Sequence, residues 1–227
     1  MHGIYDRSLI QRFTLTFLHL LIILFSVWLL FGGGLSWFSD LLNYSWSAGD
    51  KTRKILVLSA AVIYFLRQIY TGSFLLKRKM GWSEVWTVAP WLFVIHTVFV
   101  WLSGINPGHV GIYEYIGIFL YFFGSYLNTG SEYMRLVWKK NPDNKGKLYT
   151  QGLFKYSMHI NYFGDSLLFT GYAFLTGSIY SLIIPVIMTA GFIYFHIPML
   201  DKYLGEKYGD AFKEYAAKTK KFVPFIY

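Results

Sequence analysis

A group of polar side chains stands inside an apolar run near the middle of the chain. Asn128 and Glu132 are spaced i, i+4, and Arg135 follows three residues later. In a regular helix all three lie on one face. An amide, a carboxylate and a guanidinium are costly inside a membrane-length helix, so they indicate a functional site. Either Glu132 and Arg135 only neutralise each other, or this face lines a water-accessible cavity for an anionic ligand.

The polar segment from Lys147 to Asp165 follows this run and is punctuated by glycines. Gly152 and Gly164 allow close approach of the backbone. Its further hydrogen-bonding side chains are Tyr156, His159, Asn161 and Tyr162. Taken alone, His159 is equally well explained as a surface loop residue, and Asp165 as the N-cap of the next helix. Taken together, these residues indicate a binding site.

A basic loop adjoins both features. Lys139, Lys140 and Lys147 stand between the polar helix and the glycine-punctuated segment. Their ammonium groups would contact the phosphate or carboxylate groups of a ligand. We therefore predict a nucleotide or similar polyanionic cofactor at the cytoplasmic face, with a lipid-like substrate entering from the bilayer. Neither a metal site nor an obligate protein partner is predicted.

Tyr64 and Arg67 form a second candidate pair, in an earlier apolar run. Arg67 lies about three helical turns from the basic end of that run, so its charge must snorkel or find a partner. Tyr64 is one of 19 tyrosines, and its residue type alone favours a packing role. His19 and His96 lie in other apolar runs and are predicted to be packed or hydrogen-bonded rather than catalytic.

The elements that must position these residues are membrane helices. Of the 227 residues, 55% are hydrophobic, 21% aromatic and 15% charged, whereas a soluble domain carries about 25% charged residues. About 20 apolar residues in a helix cross a bilayer. We predict an all-α polytopic membrane bundle of six or seven transmembrane helices, with six apolar runs at about 13–31, 55–75, 85–103, 112–134, 165–177 and 179–199. The fifth run is short, so either Gly177 and Ser178 form a tight turn after it or its helix begins inside the polar segment.

Charge placement predicts the orientation of these helices. Arg7 and Arg12 precede the first run, and lysines follow the second, fourth and sixth runs. Lys and Arg mark cytoplasmic loops, so both termini and the cofactor site are predicted to be cytoplasmic. The net charge of +9 then reflects topology and anionic membrane lipids, and requires no nucleic acid. Residues 1–227 are predicted to form a single integral membrane domain, with its cofactor-binding half at about 112–227.

Four motifs carry a resemblance to a known family. They are Asn128-x-x-x-Glu132, Gly152-Leu-Phe-x-Tyr-Ser, Asn161-Tyr-Phe-Gly-Asp165 and the C-terminal Val223-Pro-Phe-Ile-Tyr227. From near residue 124 to the end, the chain resembles the steroid 5-alpha-reductase family, above all its bacterial relatives of unassigned substrate. The resemblance implies a multi-helix membrane bundle that holds NADPH at the cytoplasmic side. It also implies reduction of a carbon–carbon double bond conjugated to a carbonyl.

The resemblance implies roles for individual residues as well. Asn128 with Glu132, and Asn161 with Asp165, match two pairs that contact the cofactor in that family. His196 falls near a histidine-rich stretch at the end of the family's last helix. The predicted cofactor-binding residues are Asn128, Glu132, Arg135, Lys139, Lys147, Tyr156, His159, Asn161, Tyr162, Asp165 and His196.

The implied catalytic residues lie in the second apolar run. Tyr64-Phe-Leu-Arg67 resembles the family's Tyr-Phe-x-Arg, whose tyrosine engages the substrate carbonyl. Tyr64 and Arg67 are therefore the candidate catalytic residues. Lys147 falls where the family has an arginine. No acidic residue near position 30 matches the family's Gln-Glu pair for the substrate, so the predicted substrate is a lipid, steroid-like or isoprenoid molecule rather than a defined steroid ketone.

A second group of enzymes provides the alternative. Isoprenylcysteine and phospholipid methyltransferases share the C-terminal architecture and hold S-adenosylmethionine with an Arg-His-Pro-x-Tyr-x-Gly segment. This chain instead reads Ser157-Met-His-Ile-Asn-Tyr162, and it has only Asp201 where those enzymes place paired glutamates. Asn128 and Asp165 favour the reductases. An NADPH-dependent oxidoreductase is thus predicted, with an S-adenosylmethionine-dependent methyltransferase as the alternative. A non-catalytic lipid-binding or scaffolding role is the third hypothesis.

Overall fold

The computed structural model describes residues 8–227, which are helical, with no β-strand among them. This confirms the predicted all-α class; Arg7, used above to predict orientation, lies outside the described residues. The α-helices are α1 (Leu9–Phe31), α2 (Gly34–Leu42), α3 (Lys51–Tyr70), α4 (Trp82–Gly104), α5 (Ile112–Ser125), α6 (Ser131–Lys139), α7 (Ile160–Leu175), α8 (Ile183–Gly191), α9 (Ile197–Tyr208) and α10 (Asp210–Lys218). Three π-helical turns occupy Thr71–Leu75, Tyr126–Gly130 and Phe192–His196. Short 3-10 helices occupy Pro142–Asn144, Gly152–Lys155 and Ile179–Leu182.

Within residues 8–227, four helical stretches are long and apolar enough to cross a membrane. They are Leu9–Phe31, Lys51–Leu75, Trp82–Gly104 and Ile179–Tyr208. The fourth and fifth predicted spans are also helical, but neither is among these four stretches. The fourth lies in the continuous run of α5, a π-helical turn and α6 at 112–139. The fifth lies in α7, whose 16 residues are fewer than the roughly 20 that a span needs. The count of six or seven spans and the cytoplasmic termini therefore stay predictions.

Large apolar side chains are exposed along several of these helices. Phe13 is 72% exposed in α1, Leu66 57% in α3 and Phe119 64% in α5. Soluble monomers rarely expose apolar patches larger than a few hundred Å². Outward-facing phenylalanine and leucine therefore fit helices that are surrounded by lipid.

The described residues form two compact units. The first contains the residues up to Gly117 together with Tyr172–Ser181, and the second contains Ile118–Gly171 and Leu182–Tyr227. In the first unit, α1 packs against α3 and α4. Its apolar interior includes Leu15, Ile22, Met80, Val85, Ala89 and Leu92, with Tyr64 and Leu76 packed beside them.

A buried ion pair closes one end of the first unit. Arg53 donates to Glu114 at 2.6 Å and to the backbone oxygens of Gly108 and His109 at 2.8 and 3.0 Å. The two charged side chains are 2% and 5% exposed. Arg53 lies in α3, which the apolar run predicted from about residue 55. The helix begins at Lys51 instead, because Asp50 caps it by accepting from the backbone N–H of Arg53.

The second unit is held together by aromatic packing and by its C-terminal segment. Tyr149, Phe154, Ile160 and Leu127 form one buried cluster. The hydroxyl of Tyr215 donates to the backbone oxygen of Phe154 at 2.5 Å. These contacts hold the loop that follows α6 against α10. The predicted cofactor-binding residues lie in this second unit.

Candidate functional site

Two glycines set the distance between α5 and α7. A Cβ atom on Gly124 would collide with the backbone of Gly164 and Leu168, and one on Gly164 would lie 2.6 Å from the backbone nitrogen of Asn128. The two backbones are therefore in direct contact, with no room for a side chain between them. This contact brings Asn128 against α7.

The amides and carboxylates of the two helices interlock at this contact. Asn128 Nδ2 donates to Asp165 Oδ2 at 2.8 Å and to the backbone oxygen of Asn161 at 3.0 Å. Asn161 Nδ2 donates in turn to Glu132 Oε1 at 3.0 Å. Glu132 also forms an ion pair with Arg135. We call these five residues the amide–carboxylate cluster; the structure brings all five predicted members together.

Two local features of this cluster differ from what the sequence indicated. A π-helical turn at Tyr126–Gly130 interrupts the regular helix in which Asn128 and Glu132 were placed. Both residues nevertheless reach α7, where they bond different groups. Asp165 is not an N-cap, because α7 begins at Ile160 and so contains the second half of the polar segment. The fifth apolar run, predicted at 165–177, therefore begins five residues earlier.

His159 is buried rather than exposed in a loop. The residue is 1% exposed, and its Nε2 lies 2.8 Å from Asp201 Oδ1. Asp201 also pairs with Lys221 at 3.4 Å. The backbone N–H of His159 donates to the backbone oxygen of Lys221 at 3.1 Å. The surface-loop interpretation is wrong, because the C-terminal segment covers this histidine.

Aromatic rings continue from His159 towards α8. The ring of Tyr162 stacks on His159, at 5.9 Å and 15°, and on Phe192, at 4.8 Å and 16°. His196 lies 6.3 Å from Tyr162 and 5.9 Å from Phe192. Tyr162 and Phe192 are half-buried, so part of this stack is accessible to contact with a nicotinamide or adenine ring. Tyr156 instead packs against Phe225, with the Lys155 ammonium over its ring.

Positive charge accumulates beside the cluster. The guanidinium of Arg135 lies over the Phe154 ring at 5.6 Å. Burial, and then the neighbouring Arg135 and Lys207, lower the pKa of Lys139, while Glu132 acts in the opposite direction. A cation that is disfavoured in this way would be stabilised by an anionic ligand. Lys147 lies elsewhere in the second unit, in a cavity that it shares with other lysines.

Tyr64 and Arg67 belong to the first unit and contact each other. The Arg67 guanidinium lies 5.5 Å from the centre of the Tyr64 ring. That ring lies 5.9 Å from His19 and 6.1 Å from His96. The two histidines are fully buried and their Nε2 atoms are 3.0 Å apart. The prediction that they are packed or hydrogen-bonded is confirmed.

Sequence reasoning missed three contributors to these sites. Tyr172 extends the histidine pair, because its hydroxyl lies 3.3 Å from His96 Nδ1. Phe192 completes the aromatic stack, and Asp201 orients His159. Of these, only Asp201 carried a signal in the sequence, as the single acidic residue in an otherwise apolar and basic stretch. Among residues 8–227, no group of three or more metal-ligating side chains is placed to hold a metal ion.

Two comparisons with known proteins bear on this site. The model of a family described as "Protein of unknown function (DUF1295)" matches residues 83–219, which is more than half of the chain. A protein of Ustilaginoidea virens named "Probable O-methyltransferase ustE" is 36% identical over 88 residues. That match covers 38% of this chain and 31% of the relative. The matched region is thus less than a third of the length of that curated relative.

Proposed function

The chain belongs to the DUF1295 family, and we propose that it is a membrane-embedded, NAD(P)H-dependent reductase of a conjugated double bond in a lipid, steroid-like or isoprenoid substrate. The observation that carries the proposal is the amide–carboxylate cluster. Its two asparagines and two carboxylates come from two helices that contact each other through glycine. Such groups are costly in apolar helices and mark ligand sites there.

The residues around the cluster fit a nicotinamide nucleotide. Nδ1 of His159 is buried and has no hydrogen-bond partner among the described residues, so it is available to a polar group of a ligand. Tyr162 provides a flat ring beside it. Arg135 and Lys139 would contact the phosphates, and Asn128, Asn161 and the carboxylates would bind ribose and amide groups. When bound, the cofactor supplies the hydride.

The protein's own residues would position the substrate and stabilise negative charge on it. In this proposal Tyr64 donates a hydrogen bond to the substrate carbonyl, and that bond strengthens as the oxygen becomes an enolate. The Arg67 guanidinium near the Tyr64 ring favours this donation, because a neighbouring cation stabilises developing phenolate character. The substrate enters from the bilayer, and the cofactor side faces the cytoplasm.

Methyl transfer from S-adenosylmethionine is the second candidate function. It is favoured by the named O-methyltransferase of Ustilaginoidea virens, to which part of this chain is similar. The same cluster would then bind the ribose and amino-acid groups of S-adenosylmethionine, and the aromatic stack its adenine ring. In that case the acceptor is again a lipophilic molecule, and no reducing cofactor binds.

A ligand-stabilisation measurement on purified protein in neutral detergent tests the proposal. A ligand present at 100 times its dissociation constant stabilises the folded state by about 2.7 kcal/mol. We expect thermal unfolding to shift upward with NADPH or NADH and not with S-adenosylmethionine. Stabilisation by S-adenosylmethionine alone would support the methyltransferase, and no response to any of them would support a non-catalytic role.

A matched pair of variants connects this response to the cluster. Asn161→Ala removes the bond to Glu132 and should abolish most of the shift that NADPH produces. Gln151→Ala changes an exposed amide nearby and should leave the shift intact. An equal shift in all three proteins would place the cofactor elsewhere.

Tyr64→Phe tests the proposed substrate end. The variant should retain the NADPH-induced shift and lose turnover, measured as NADPH oxidation with lipophilic enones. Tyr70→Phe, at an exposed position of the same helix, is the control and should turn over normally. Normal turnover of Tyr64→Phe would assign Tyr64 to packing alone.

A further inference from the structure

The second unit contains a basic cavity whose lining includes none of the amide–carboxylate cluster. It has a volume of about 770 Å³, which lies within the roughly 300–1,000 Å³ of small-molecule sites. Four lysines and one glutamate line it, and these are Lys147, Lys155, Lys207, Lys218 and Glu214. We call it the lysine cavity. Its formal charge is strongly positive.

The four lysines come from four separate segments of the chain. Lys147 lies in the loop after α6, Lys155 ends a 3-10 helix, Lys207 is in the last turn of α9, and Lys218 ends α10. Lysines placed only to set membrane orientation have no reason to converge on one concave surface. Their convergence therefore indicates a ligand.

The ammonium groups of the cavity are accessible to an anion, because all four lysines are exposed. Within the described residues, no ion pair involves Lys147, Lys155 or Lys218. One acidic side chain, Glu214, lines the cavity beside the four lysines. A ligand with two or more negative charges would therefore be attracted to this concave surface.

The floor of the cavity is fixed and offers neutral donors. Tyr215 lines it and is held by its bond to Phe154, and Leu148 packs against the buried group that contains Tyr215. The single hydroxyl proton of Tyr215 is used in that bond, so Tyr215 fixes the floor and does not donate to a ligand. Thr150 and Thr219 also line the cavity. Hydroxyl donors beside ammonium groups match the oxygens of a phosphate group.

We propose that the lysine cavity binds a phosphate ester with two or more negative charges, at a site distinct from the amide–carboxylate cluster. The phosphate belongs either to the headgroup of an anionic lipid or to a soluble phosphate ester. Both sources present the same doubly charged oxygens to the lysines. This inference reassigns Lys147, which the sequence placed at the cofactor, to the lysine cavity. It does not depend on the reductase proposal, because it requires no redox chemistry.

The test compares three proteins with two probes. The proteins are the unmodified chain, the double variant Lys155→Gln/Lys218→Gln, and the control Lys202→Gln/Lys220→Gln, which removes two exposed lysines outside the cavity. Thermal unfolding is measured in neutral detergent with inorganic pyrophosphate at constant ionic strength. It is also measured in nanodiscs of phosphatidylcholine with and without phosphatidic acid.

We expect stabilisation of the unmodified and control proteins, and a dissociation constant at least about ten-fold weaker in the double variant, which corresponds to about 1.4 kcal/mol. A response to pyrophosphate only identifies a soluble ester, and a response to phosphatidic acid only identifies a lipid headgroup. No response in the unmodified protein, or an equal response in all three proteins, overturns the proposal. Loss of NADPH binding in the double variant would also overturn it, because the cavity would then belong to the cofactor site.

Discussion

Replacing Asn128 with leucine removes the amide that joins the two helices of the candidate site. The amide donates to the Asp165 carboxylate at 2.8 Å and to the Asn161 backbone oxygen at 3.0 Å, and Asn128 is 9% exposed. A neutral hydrogen bond contributes about 1 kcal/mol, and one to a charged group about 1.5–3 kcal/mol. Hydrogen bonds between membrane helices measure less, about 0.6 kcal/mol on average and about 1.7 at most. We therefore expect Asn128→Leu to lower the free energy of unfolding by about 1–3 kcal/mol.

A double-mutant cycle isolates the part of this loss that belongs to the amide–carboxylate bond. Asp165→Leu removes both acceptor oxygens and leaves an apolar side chain, whereas asparagine would keep an oxygen able to accept the bond. The four proteins of the cycle are unfolded with denaturant in detergent micelles, and tryptophan fluorescence gives each free energy of unfolding. Residues that share a hydrogen bond should show an interaction energy of about 0.5–3 kcal/mol.

The matched control cycle pairs Asn128→Leu with Asp210→Leu. Asp210 is 89% exposed and lies in the same compact unit. Its substitution should be additive with that of Asn128 within about 0.3–0.5 kcal/mol. If the cycle with Asp165 is additive to the same degree, the two side chains are not energetically coupled, and the cluster cannot be the rigid site proposed above.

Three further predictions concern the surroundings of the sites. Glu114→Gln removes the carboxylate charge that pairs with the buried Arg53 and should lower the free energy of denaturant unfolding by about 3–5 kcal/mol. The double replacement Arg53→Met/Glu114→Leu removes both charges and should cost less. An equal or larger cost would argue against a coupled pair. Gly164→Ala places a Cβ 2.6 Å from the backbone nitrogen of Asn128 and should lower the free energy of unfolding by about 1–3 kcal/mol. The control is Gly191→Ala, which has nothing within 4 Å and should be neutral or stabilising when both variants are measured by thermal unfolding. The pKa of Lys139 is lower in the folded protein than in the unfolded chain, so the folded state binds this proton less tightly. The free energy of unfolding should therefore rise as the pH increases from the folded pKa to the unfolded pKa. Lys139→Gln should remove this rise at alkaline pH, and parallel pH–stability curves for the two proteins would contradict it.

The convergence of Asn128, Glu132, Asn161 and Asp165 was predictable because polar groups in apolar helices must find one another. Residue types alone identify such groups, and the short contact between the two helices needs only the glycines that the sequence displays. The partners within the cluster were less predictable. The sequence grouped Asn128 with Glu132, whereas each bonds a different group on α7.

Other contacts left no local signal. Arg53 and Glu114 are separated by 61 residues, and each resembles an ordinary loop or helix-end charge when viewed alone. The start of α7 could not be fixed from the sequence, because its first turns contain the polar residues Asn161 and Asp165, which lower the local hydropathy; of the two alternatives, the start inside the polar segment is correct. Hydropathy detects an apolar stretch, whereas the helix itself extends as far as its backbone bonds and cap allow.

The widened turn at Tyr126–Gly130 sets the rotational phase of everything that follows it in the same helical rod. A π-helical turn accommodates about one residue more than a regular turn, and one residue corresponds to about 100° of rotation. Deleting a single amino acid there would restore a regular helix and swing Glu132 and Arg135 about a quarter of a circle away from Asn161. Its exposed position Tyr126 should consequently tolerate exchange of its side chain far better than the stretch tolerates a change in its length.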